Sequence, residues 1–594
     1  MFDTHSPLPD VSVGGPLPPP AADKIHRIVI DAQRNLPAMC EVEFSDDDFT
    51  VIDNPMFRPG MPLSVSVAPA SDDPTQTSLG PVFDGEIVAI EASFTTDGGS
   101  RLLLRGYDKS HRLHRKRQTR TFLMQPDNLI ATTIAGDHGL IPRVDPTGGP
   151  HEYLCQRNQT DWEFLCERAR EIGFEISVSM GALVFRRAGA DPMAGMPQQI
   201  DRSDNLLSFR PRVTSAEQPM MTKVKSWNPL LKIPVPGIAP PPVPENTPQD
   251  ATLLPMTIGA QFGSTEEVGT DLPFDLPPGA LANAMARRQH SASASFEAEG
   301  TCIGNPAMKP GGTVNVAGVG LRFSGSYTLS SVRHVFDEDA YRTHFTINGS
   351  HDRSLLGLAQ PGAVMRASAR PGGGANVASP VVAKVTNTTD PMQMGRVKVE
   401  FPWLGDMAES HWAQVVSVGG GSGKGWQVIP EVGDEVLVVF GHGDMRRPFV
   451  LGGLYNAQDL MPEPIGSVLG GKTNIRAFKT RAGHKFTFND TPGMEGVTLE
   501  SKLGSKIDIV DTPTPSITIA DSSGQNSITI DGSSQTVTIQ AATNLELKAN
   551  GKVTIEGMGG VDVKSAGTMN VEGSLTTVKA NGPLNLQGTP MKLN

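Results

Sequence analysis

A repeat of eight residues near the carboxyl end of the sequence constrains the fold more than any other feature. Three-residue units, apolar then polar then apolar, begin at positions 537, 545, 553, 561 and 569. Turn-forming Gly, Ser and Asn residues separate the units, and such strict periodicity is typical of a repeat architecture. The outer two side chains of a unit lie on one face of a strand and the middle one on the other. The apolar members are Ile517, Ile519, Ile528, Ile530, Val537, Ile539, Leu545, Leu547, Val553, Ile555, Val561, Val563, Met569 and Val571.

A single strip of such units cannot enclose its own apolar face. Three chains wound around a common axis solve this problem, because each chain then supplies one wall of a triangular prism. Each aliphatic side chain buried in this way contributes about 1.5–3 kcal/mol, so we expect a needle that is stable only as a homotrimer. The alternative is a single-chain β-solenoid, whose coils usually run to about 18–30 residues, longer than this octad.

Composition limits the other function classes. A length of 594 residues suggests several domains, and 63 glycines with 49 prolines favour short strands and turns over helix bundles. The formal net charge of −12 provides no overall attraction to nucleic acid or to an anionic membrane. The cysteines form neither a disulfide framework nor a paired metal motif, so we expect reduced thiols; they are Cys40, Cys155, Cys166 and Cys302.

Neither a secretion signal nor a membrane-spanning segment is expected. The first twenty residues lack a basic start followed by an apolar stretch, which a Sec signal requires. No apolar run approaches the ~20 residues that span a bilayer. We therefore expect assembly in the bacterial cytoplasm without a signal peptide.

Two helices stand out among the short strands. Thr160 and Glu163 form a capping box for the first helix, and Gly173 is placed to end it. The second helix is expected to begin after Pro277 and Pro278. Strand-like alternation dominates elsewhere, and residues 229–255 are rich in proline and predict an exposed loop or strap.

Residues 379–456 resemble the OB-fold module of the VgrG family and of contractile-phage spike proteins. The residues that carry the resemblance are Gly395, Arg396, Val397, Lys398 and Val399, then Pro430, Gly433, Asp434, Glu435, Val436, Gly443, Asp444, Pro448, Gly452, Tyr455 and Asn456. Upstream, residues 104–122 and 156–175 are similar to the hub of the same family, which forms two β-barrels with an inserted α/β piece. Downstream, residues 480–500 are similar to the segment that joins the OB-fold to the needle.

The resemblance and the repeat together predict a mainly β fold: hub β-barrels with a small α/β insertion, an OB-fold, and a C-terminal trimeric β-helix or prism. The expected domains are 1–22, a flexible Pro-rich arm; 23–120, the first hub barrel; 121–200, the insertion; 201–354, the second hub barrel with loop 229–255; 355–378, a linker; 379–456, the OB-fold; 457–515, a connector and the needle start; and 516–594, the octad needle.

Two departures from the family pattern favour a phage-like or extracellular particle over type VI secretion. VgrG proteins of type VI secretion usually carry F-x-W-D after the G-R-V-K-V strand, whereas Phe401, Pro402, Trp403 and Leu404 stand here. We also expect no further domain after the needle.

Several motifs suggest other chemistry, and a structural role is favoured for each. Residues 109–120 are strongly basic, but no aromatic residue interleaves with the charges as in strand-binding surfaces. The resemblance places this run in the hub, where contacts with subunits or the tube are expected. The glycine-rich run 419–425 lacks the spacing and the Ser or Thr of a phosphate loop. His111 and His114 with Cys155 or Cys166 are poorly spaced for zinc. His484 matches a family position and is expected to be structural.

The resemblance implies a non-enzymatic cell-puncturing spike without cofactor, metal or nucleic acid. Its expected partners are two further copies of the chain, a PAAR-type tip protein, tube-initiator and baseplate proteins, and cargo or effectors. The particle would release or fire the spike into the extracellular space, so that it contacts a target membrane only on firing. The predicted tip-protein surface is Leu584, Leu586, Met591, Leu593 and Asn594. The alternatives are a type VI VgrG that carries effectors through adaptors and a hydrolase of envelope polymers.

Overall fold

The computed structural model describes residues 9–592, except 68–79, 97–98, 192–193, 216–217, 264, 339, 350–376, 378, 406–407 and 464–467. The described chain is mainly β. It divides into two compact units, Met1–Asp459 and Leu460–Asn594. No helix among the described residues has the length and apolarity needed to cross a membrane.

The amino-terminal region is built from alternating strands whose apolar side chains share one core. Its elements are β1 (Pro9–Val13), α1 (Pro19–Ala22), β2 (Ile25–Gln33), β3 (Met39–Ser45), β4 (Pro62–Val67), β5 (Gly80–Thr95) and β6 (Gly99–Tyr107). Val11 and Val13 of β1 are buried in this core with Val65 of β4, to which β1 pairs. Residues 9–22 therefore differ from the flexible arm predicted for residues 1–22; residues 1–8 lie outside the described chain.

An α/β region follows a short 3-10 helix, Lys109–His114. Its elements are β7 (Arg117–Gln125), α2 (Asp127–Asp137), β8 (Ile141–Val144), β9 (His151–Thr160), α3 (Asp161–Ile172), β10 (Phe174–Ser179) and β11 (Ala182–Arg187). The predicted capping box on α3 is confirmed: Thr160 accepts from the Glu163 amide, and Glu163 accepts from the Thr160 amide. Gly173 ends α3 in the left-handed conformation, at φ 73°.

The next region returns to the first sheet. Its elements are β12 (Gln198–Asp201), β13 (Leu206–Val213), β14 (Met221–Asn228), β15 (Ile233–Ile238), β16 (Thr247–Pro248), a 3-10 turn (Ala251–Leu253), α4 (Pro255–Ala260), β17 (Glu266–Gly269), α5 (Pro277–Ser293), β18 (Phe296–Ile303), β19 (Thr313–Ala317), β20 (Gly325–Thr328), β21 (Ser331–Phe336) and β22 (Tyr341–Ile347). The predicted second helix is confirmed as α5, with proline in its first turn.

One ten-stranded sheet runs through both hub regions, in the order β1-β4-β5-β6-β3-β2-β21-β22-β18-β13. The antiparallel pair of β2 with β21 joins the two regions that the sequence analysis treats as separate barrels. The Pro-rich segment also differs from a plain loop, because Ile233–Ile238 forms β15 and pairs with β14. Gly237 of β15 lies against the backbone of Ala280 in α5, where a Cβ atom would not fit.

The OB module has five strands in the order β24-β23-β26-β27-β25. The strands are β23 (Val381–Asn387), β24 (Lys398–Glu400), β25 (Gln414–Val415), β26 (Glu435–Phe440) and β27 (Pro448–Gly453). Val399, Phe401, Val436, Val438 and Val450 are buried in its core. Most of the predicted linker at 355–378 lies outside the described residues.

The carboxyl-terminal unit starts with the hairpin β28 (Val468–Leu469) and β29 (Lys472–Thr473). A seven-stranded antiparallel meander follows: β30 (Ile475–Lys479), β31 (Lys485–Asn489), β32 (Gly496–Glu500), β33 (Lys506–Val510), β34 (Ser516–Ala520), β35 (Ser527–Asp531) and β36 (Thr536–Gln540). The sheet thus begins about 40 residues before the octad needle predicted from residue 516, within the segment 457–515 that was predicted as a connector and the needle start. No strand or helix is assigned from residue 541 to residue 592.

Candidate functional site

The register of the meander places its apolar side chains in two columns on one face. One column is Phe478, Phe486, Leu499, Ile507, Ile519, Ile528 and Ile539, each opposite the next on the neighbouring strand. The other column is Arg476, Phe488, Val497, Ile509, Ile517, Ile530 and Val537. Because alternate residues of a strand share a face, thirteen apolar side chains, seven and six, form one continuous surface.

The opposite face of the same sheet is polar. Its central column is Ala477, Thr487, Thr498, Asp508, Thr518, Thr529 and Thr538. Thr498 donates to Asp508 over 2.7 Å, and Lys506 contacts the same carboxylate at 2.5 Å. Burial raises the pKa of Asp508, but Lys506 and Thr498 outweigh it, so the pKa lies below its usual value. This face is polar but mostly half-buried, and the Oγ1 atom of Thr487 on it is buried without a hydrogen-bond partner among the described residues.

The apolar face lacks a covering layer within its own chain. Ile517 is 39% exposed and Val537 is 67% exposed, and every apolar member of the two columns except Val497 is among the exposed large side chains. A sheet with one apolar face must bury that face against another layer. The geometry therefore provides a surface for association rather than a pocket for a small molecule.

The structure places the predicted needle residues in two groups. The six from Ile517 to Ile539 lie on β34, β35 and β36, on the apolar face. The eight from Leu545 to Val571 lie in the segment without assigned strands, where all the side chains are exposed. Of the predicted tip residues, Leu584, Leu586 and Met591 are exposed, and Leu593 and Asn594 lie outside the described residues.

The turns of the meander are fixed by local hydrogen bonds. His484 accepts from the Lys502 amide at its Nδ1 atom over 3.2 Å, which connects two neighbouring turns at one edge of the sheet. Asp521 and Asp531 each accept bonds from the turn residues that follow them, Asn526 for the first and Ser533 for the second. Such Asx-type turns hold the strand register without a covering layer.

The basic stretch 109–120 is occupied by ion pairs within the hub. Arg112 pairs with Glu86, Arg117 donates to Glu163 over 2.7 Å, and Arg120 donates to Asp161 over 2.7 Å. Burial raises the pKa of Asp161, but His138, Gln156 and Arg120 outweigh it and hold the pKa at about 2. Arg112 and Arg120 thus pair with the buried acids Glu86 and Asp161, whereas the pair of Arg117 with Glu163 is partly exposed.

The residues considered for zinc are not brought together as a ligand set. His111 contacts Glu86 at 3.0 Å, and the ring of His114 packs on Trp162 with centroids 5.3 Å apart. Among the described residues, no cluster of three His, Cys, Asp or Glu side chains has metal-binding geometry. Cys40 and Cys302 are buried, and burial raises the pKa of both thiols, that of Cys302 to about 12.

A buried ion network joins the OB module to α3 of the hub, and the sequence analysis missed it. Arg446 donates to Glu171 over 3.0 Å, and Arg168 also contacts Glu171, at 2.6 Å. Arg168 in turn bonds Asp127 over 2.7 Å, and His151 lies 2.9 Å from the same carboxylate. The sequence shows only that α3 carries charged residues beside its apolar face. Solvent-exposed helices have the same pattern, so it does not indicate a buried ion network.

Comparisons with known proteins agree with this architecture. A family model described as the Alg8 N-terminal domain matches residues 23–338, more than half of the chain. The type VI secretion system/phage-baseplate injector OB domain matches residues 381–455, and the phage baseplate V C-terminal trimerisation domain matches residues 475–545.

The curated relatives match only short segments. The type VI secretion system spike protein VgrG1a of Pseudomonas aeruginosa is 30% identical over 118 residues, 19% of this chain and 17% of that protein. VgrG5 of the same species is 47% identical over 74 residues, 12% and 9% of the two chains. VgrG3 of Vibrio cholerae is 34% identical over 115 residues, 18% and 11%. The chain thus aligns with less than a fifth of each of these relatives.

Solved structures are also similar. One is the E. coli c3393 protein, described as a component of the type VI secretion system with structural similarity to the T4 tail proteins gp27 and gp5. It is 14% identical with a TM-score of 0.47, over 75% of this chain and 99% of that one. A Francisella PdpA-VgrG complex is 9% identical with a TM-score of 0.45, over 90% and 88%.

The three family matches follow one another along the chain in the order Alg8 N-terminal domain, injector OB domain and C-terminal trimerisation domain. The mainly β fold expected from the VgrG resemblance is confirmed. The chain belongs to the family of the Alg8 N-terminal domain and is a VgrG-like spike protein.

Proposed function

We propose that this chain is the structural spike of a contractile injection machine, assembled as a homotrimer that links the tube and baseplate to a tip protein and pierces the target envelope. The observation that supports this most is the two-column apolar face of the meander. Thirteen aligned apolar side chains on an uncovered sheet face form a large exposed apolar patch, which is typical of an association surface. Association of three such faces around one axis removes them all from water at once.

The segment after residue 540 supports the same assembly. Its octads continue the apolar-polar-apolar alternation, yet no strand is assigned there in the single chain. Backbone amides and carbonyls in an extended segment need partners when they are buried, and neighbouring copies can provide them. In most of the meander, successive strands start ten or eleven residues apart. From about residue 537 the repeat shortens to eight residues, which fits a change from strand pairing within a chain to strand pairing between chains.

The mechanism is mechanical. Contraction of the sheath drives the tube and spike forward, and a rigid needle concentrates the force on a small area of the envelope. Intertwined chains unfold slowly, because their separation requires many contacts to break together. The apolar pairs at 584–586 and 591–593 are the proposed seat of a PAAR-type tip protein, and the hub is the proposed contact for tube-initiator and baseplate proteins.

A second candidate function is effector carriage by a type VI VgrG through adaptor proteins. The relatives described as type VI spike proteins favour it, and one relative of Vibrio cholerae is described as the actin cross-linking toxin VgrG1. Mass spectrometry of the particle decides between the two: a contracted-tail particle that contains the chain supports the phage-like or extracellular assignment. If the chain is instead found only in the culture medium, and only when the type VI secretion genes are intact, the result supports effector carriage.

We propose that the spike has no catalytic activity of its own. The families that match the OB module and the meander are described as an injector domain and a trimerisation domain, which are assembly roles. A zymogram with bacterial cell wall in the gel tests this: purified protein should leave no cleared band. A cleared band that persists after further purification would assign a hydrolase to the hub.

A further inference from the structure

A proline-rich segment of the hub has the features of a preformed peptide ligand. Residues 239–244, Ala-Pro-Pro-Pro-Val-Pro, follow β15 directly and form this segment, the proline strap. Proline fixes its own φ at about −65° and drives the residue before it into extended backbone. Every residue of the strap is a proline or precedes one. The sequence therefore specifies a polyproline II helix of about two turns.

The burial of the strap follows the three-residue period of that helix. Residues i and i+3 of a polyproline II helix lie on the same edge. Ala239, Pro242 and Glu245 are half-buried, and they form the edge that faces the hub. Pro240 and Val243 form a second edge, which is exposed, and Val243 is 79% exposed. The hub thus holds one edge of the strap and leaves another available to a partner.

The backbone of the strap also keeps its acceptors free. Among the described residues, no group donates a hydrogen bond to the carbonyls from Pro240 to Pro244. Proline has no amide hydrogen, so these carbonyls are the polar groups that the strap offers. Domains that recognise polyproline II segments use grooves lined with aromatic side chains. Tyr and Trp suit such grooves, because their rings pack on proline and their O–H or N–H groups can donate to a carbonyl.

Hydrogen bonds hold the strap at both ends. At its start, the Ala239 amide donates to the Thr222 carbonyl over 3.0 Å. Just beyond its end, the Thr328 hydroxyl donates to the Glu245 carbonyl over 3.0 Å. The Thr328 amide donates to the buried side chain of Asn246 over 3.1 Å. A segment that is fixed in this way loses little conformational entropy when a partner binds.

The charges beside the strap indicate the kind of partner. The carboxylate of Glu245 is already matched, because Arg34 and Gln289 donate to it over 3.3 and 3.1 Å. Lys225 is exposed and lies opposite Pro236 in the pair of β14 with β15, three positions before the strap. Its ammonium has no acidic partner among the described residues. A groove with an acidic rim complements this cation.

We propose that the proline strap docks a partner protein whose groove is lined with Tyr and Trp side chains and rimmed with Asp and Glu. Pro240 and Val243 enter the groove, and Lys225 pairs with the rim. The site attaches a separate protein to the hub. It goes beyond the spike function proposed above and does not depend on the trimer.

Photo-crosslinking in the cells that produce the protein tests this site. Benzoylphenylalanine in place of Val243 should give an adduct of the full-length chain with one different protein. Mass spectrometry should locate the cross-link in a peptide of that protein that contains Tyr or Trp together with Asp or Glu. Benzoylphenylalanine in place of Leu321, which is 80% exposed in the hub, is the matched control and should not give this adduct.

Substitutions near the cross-linker test the mode of recognition. Pro240→Ser combined with Pro241→Ser should lower the adduct yield by about tenfold or more, because serine has the conformational freedom that proline lacks. Lys225→Glu should lower the yield by about fivefold, because it places an anion against the acidic rim. Pro146→Ser combined with Pro150→Ser, in the exposed loop between β8 and β9, is the control and should keep the yield.

The outcomes distinguish this site from the assembly. No adduct at Val243, or the same adduct at Val243 and Leu321, overturns the docking site. An adduct with a second copy of the chain overturns it too, because the strap is then a contact between copies. A cross-linked peptide without Tyr or Trp, or a yield that the strap variants leave unchanged, overturns the mode of recognition. Light scattering of the unaltered protein decides the trimer separately, so either proposal can fail without the other.

Discussion

The guanidinium of Arg446, in the turn between β26 and β27, donates a hydrogen bond to the carboxylate of Glu171 near the end of α3, over 3.0 Å. The two residues are 275 positions apart in the sequence, and both side chains are largely buried. Asp444 provides a second partner for Arg446, and Arg168 provides a second partner for Glu171. Paired charges thus join the OB module to the hub, beside the ring contact of Tyr153 with His411.

Removal of one charge from this joint should loosen the turn at residues 441–447. Glu171→Gln keeps the shape of the side chain but leaves two buried arginines with one fewer anion, a loss that costs about 3–5 kcal/mol for such pairs. Amide hydrogen exchange of residues 441–447 in the full-length protein should therefore speed up by about a hundredfold or more.

A surface pair provides the control for this variant. Glu266→Gln removes the ion pair between Lys223 and Glu266, whose charged atoms lie 3.0 Å apart and whose side chains are partly exposed. Exposed ion pairs contribute about 1 kcal/mol at most. Exchange in the 441–447 turn should stay at the rate of the unaltered protein. Equal rates in Glu171→Gln and Glu266→Gln would show that the buried network does not hold the joint.

The same network predicts how the joint responds to acid. Burial raises the pKa of Glu171, but Arg168 and Arg446 outweigh burial, so this pKa lies well below its usual value. The pKa of Asp127 is lowered in the same way, because Arg168 and His151 outweigh its burial. A carboxyl group with a lowered pKa stabilises the fold fully above its unfolded pKa of about 4 and loses that contribution as the pH falls through the folded value. The joint should therefore stay closed from pH 7 to pH 5 and open only below about pH 4.

Limited proteolysis at a series of pH values, with an acid-tolerant protease, measures this opening. Cleavage near the 441–447 turn should rise only in the acid range below about pH 4. Cleavage that rises between pH 7 and pH 5 would assign the transition to a histidine instead, because that is the range in which imidazole titrates.

Local signals in the sequence were sufficient where the structure depends on near neighbours. The capping box of Thr160 and Glu163 lies within four residues, and the octads need only alternation and turn residues. Contacts between distant segments gave no such signal. Pro9–Val13 becomes a strand because β4, some fifty residues later, offers a partner and a core. Ile233–Ile238 pairs in the same way with β14 in spite of its prolines.

The bounds of the needle sheet and the hub joint were less accessible from the sequence. β30 to β33 lie in the segment 457–515, predicted as a connector and the needle start, and their spacing of ten or eleven residues does not match the octad. Arg446 and Glu171 look like ordinary surface charges in the sequence, because only the fold brings them together. The predicted role of the needle residues in the trimer core, and that of the tip residues in binding a tip protein, stay predictions.

Polar substitution on the apolar face of the meander should destabilise the trimer much more than substitution on the polar face. Ile519→Ser removes a side chain worth about 1.5–3 kcal/mol from each of three copies, whereas Thr518→Ser changes one methyl group on the opposite face. Resistance of the trimer to SDS on unheated gels measures the difference. Equal resistance in the two variants would contradict an inward-facing apolar column.

Removal of the last octads should separate tip binding from assembly. A chain that ends at residue 583 lacks the proposed tip surface but keeps the meander and most of the repeat. It should still have three chain masses and should no longer retain a PAAR-type protein in a pull-down. Unchanged retention of the tip protein would place its binding surface elsewhere in the needle.

The mass of the full-length protein by light scattering, repeated on a chain without residues 475–594, tests the central claim most directly. The proposed assembly predicts three chain masses and SDS resistance for the full-length protein, and loss or loosening of the trimer when the matched trimerisation domain and octads are removed. A stable monomer of the full-length chain would contradict the account and would favour a single-chain solenoid.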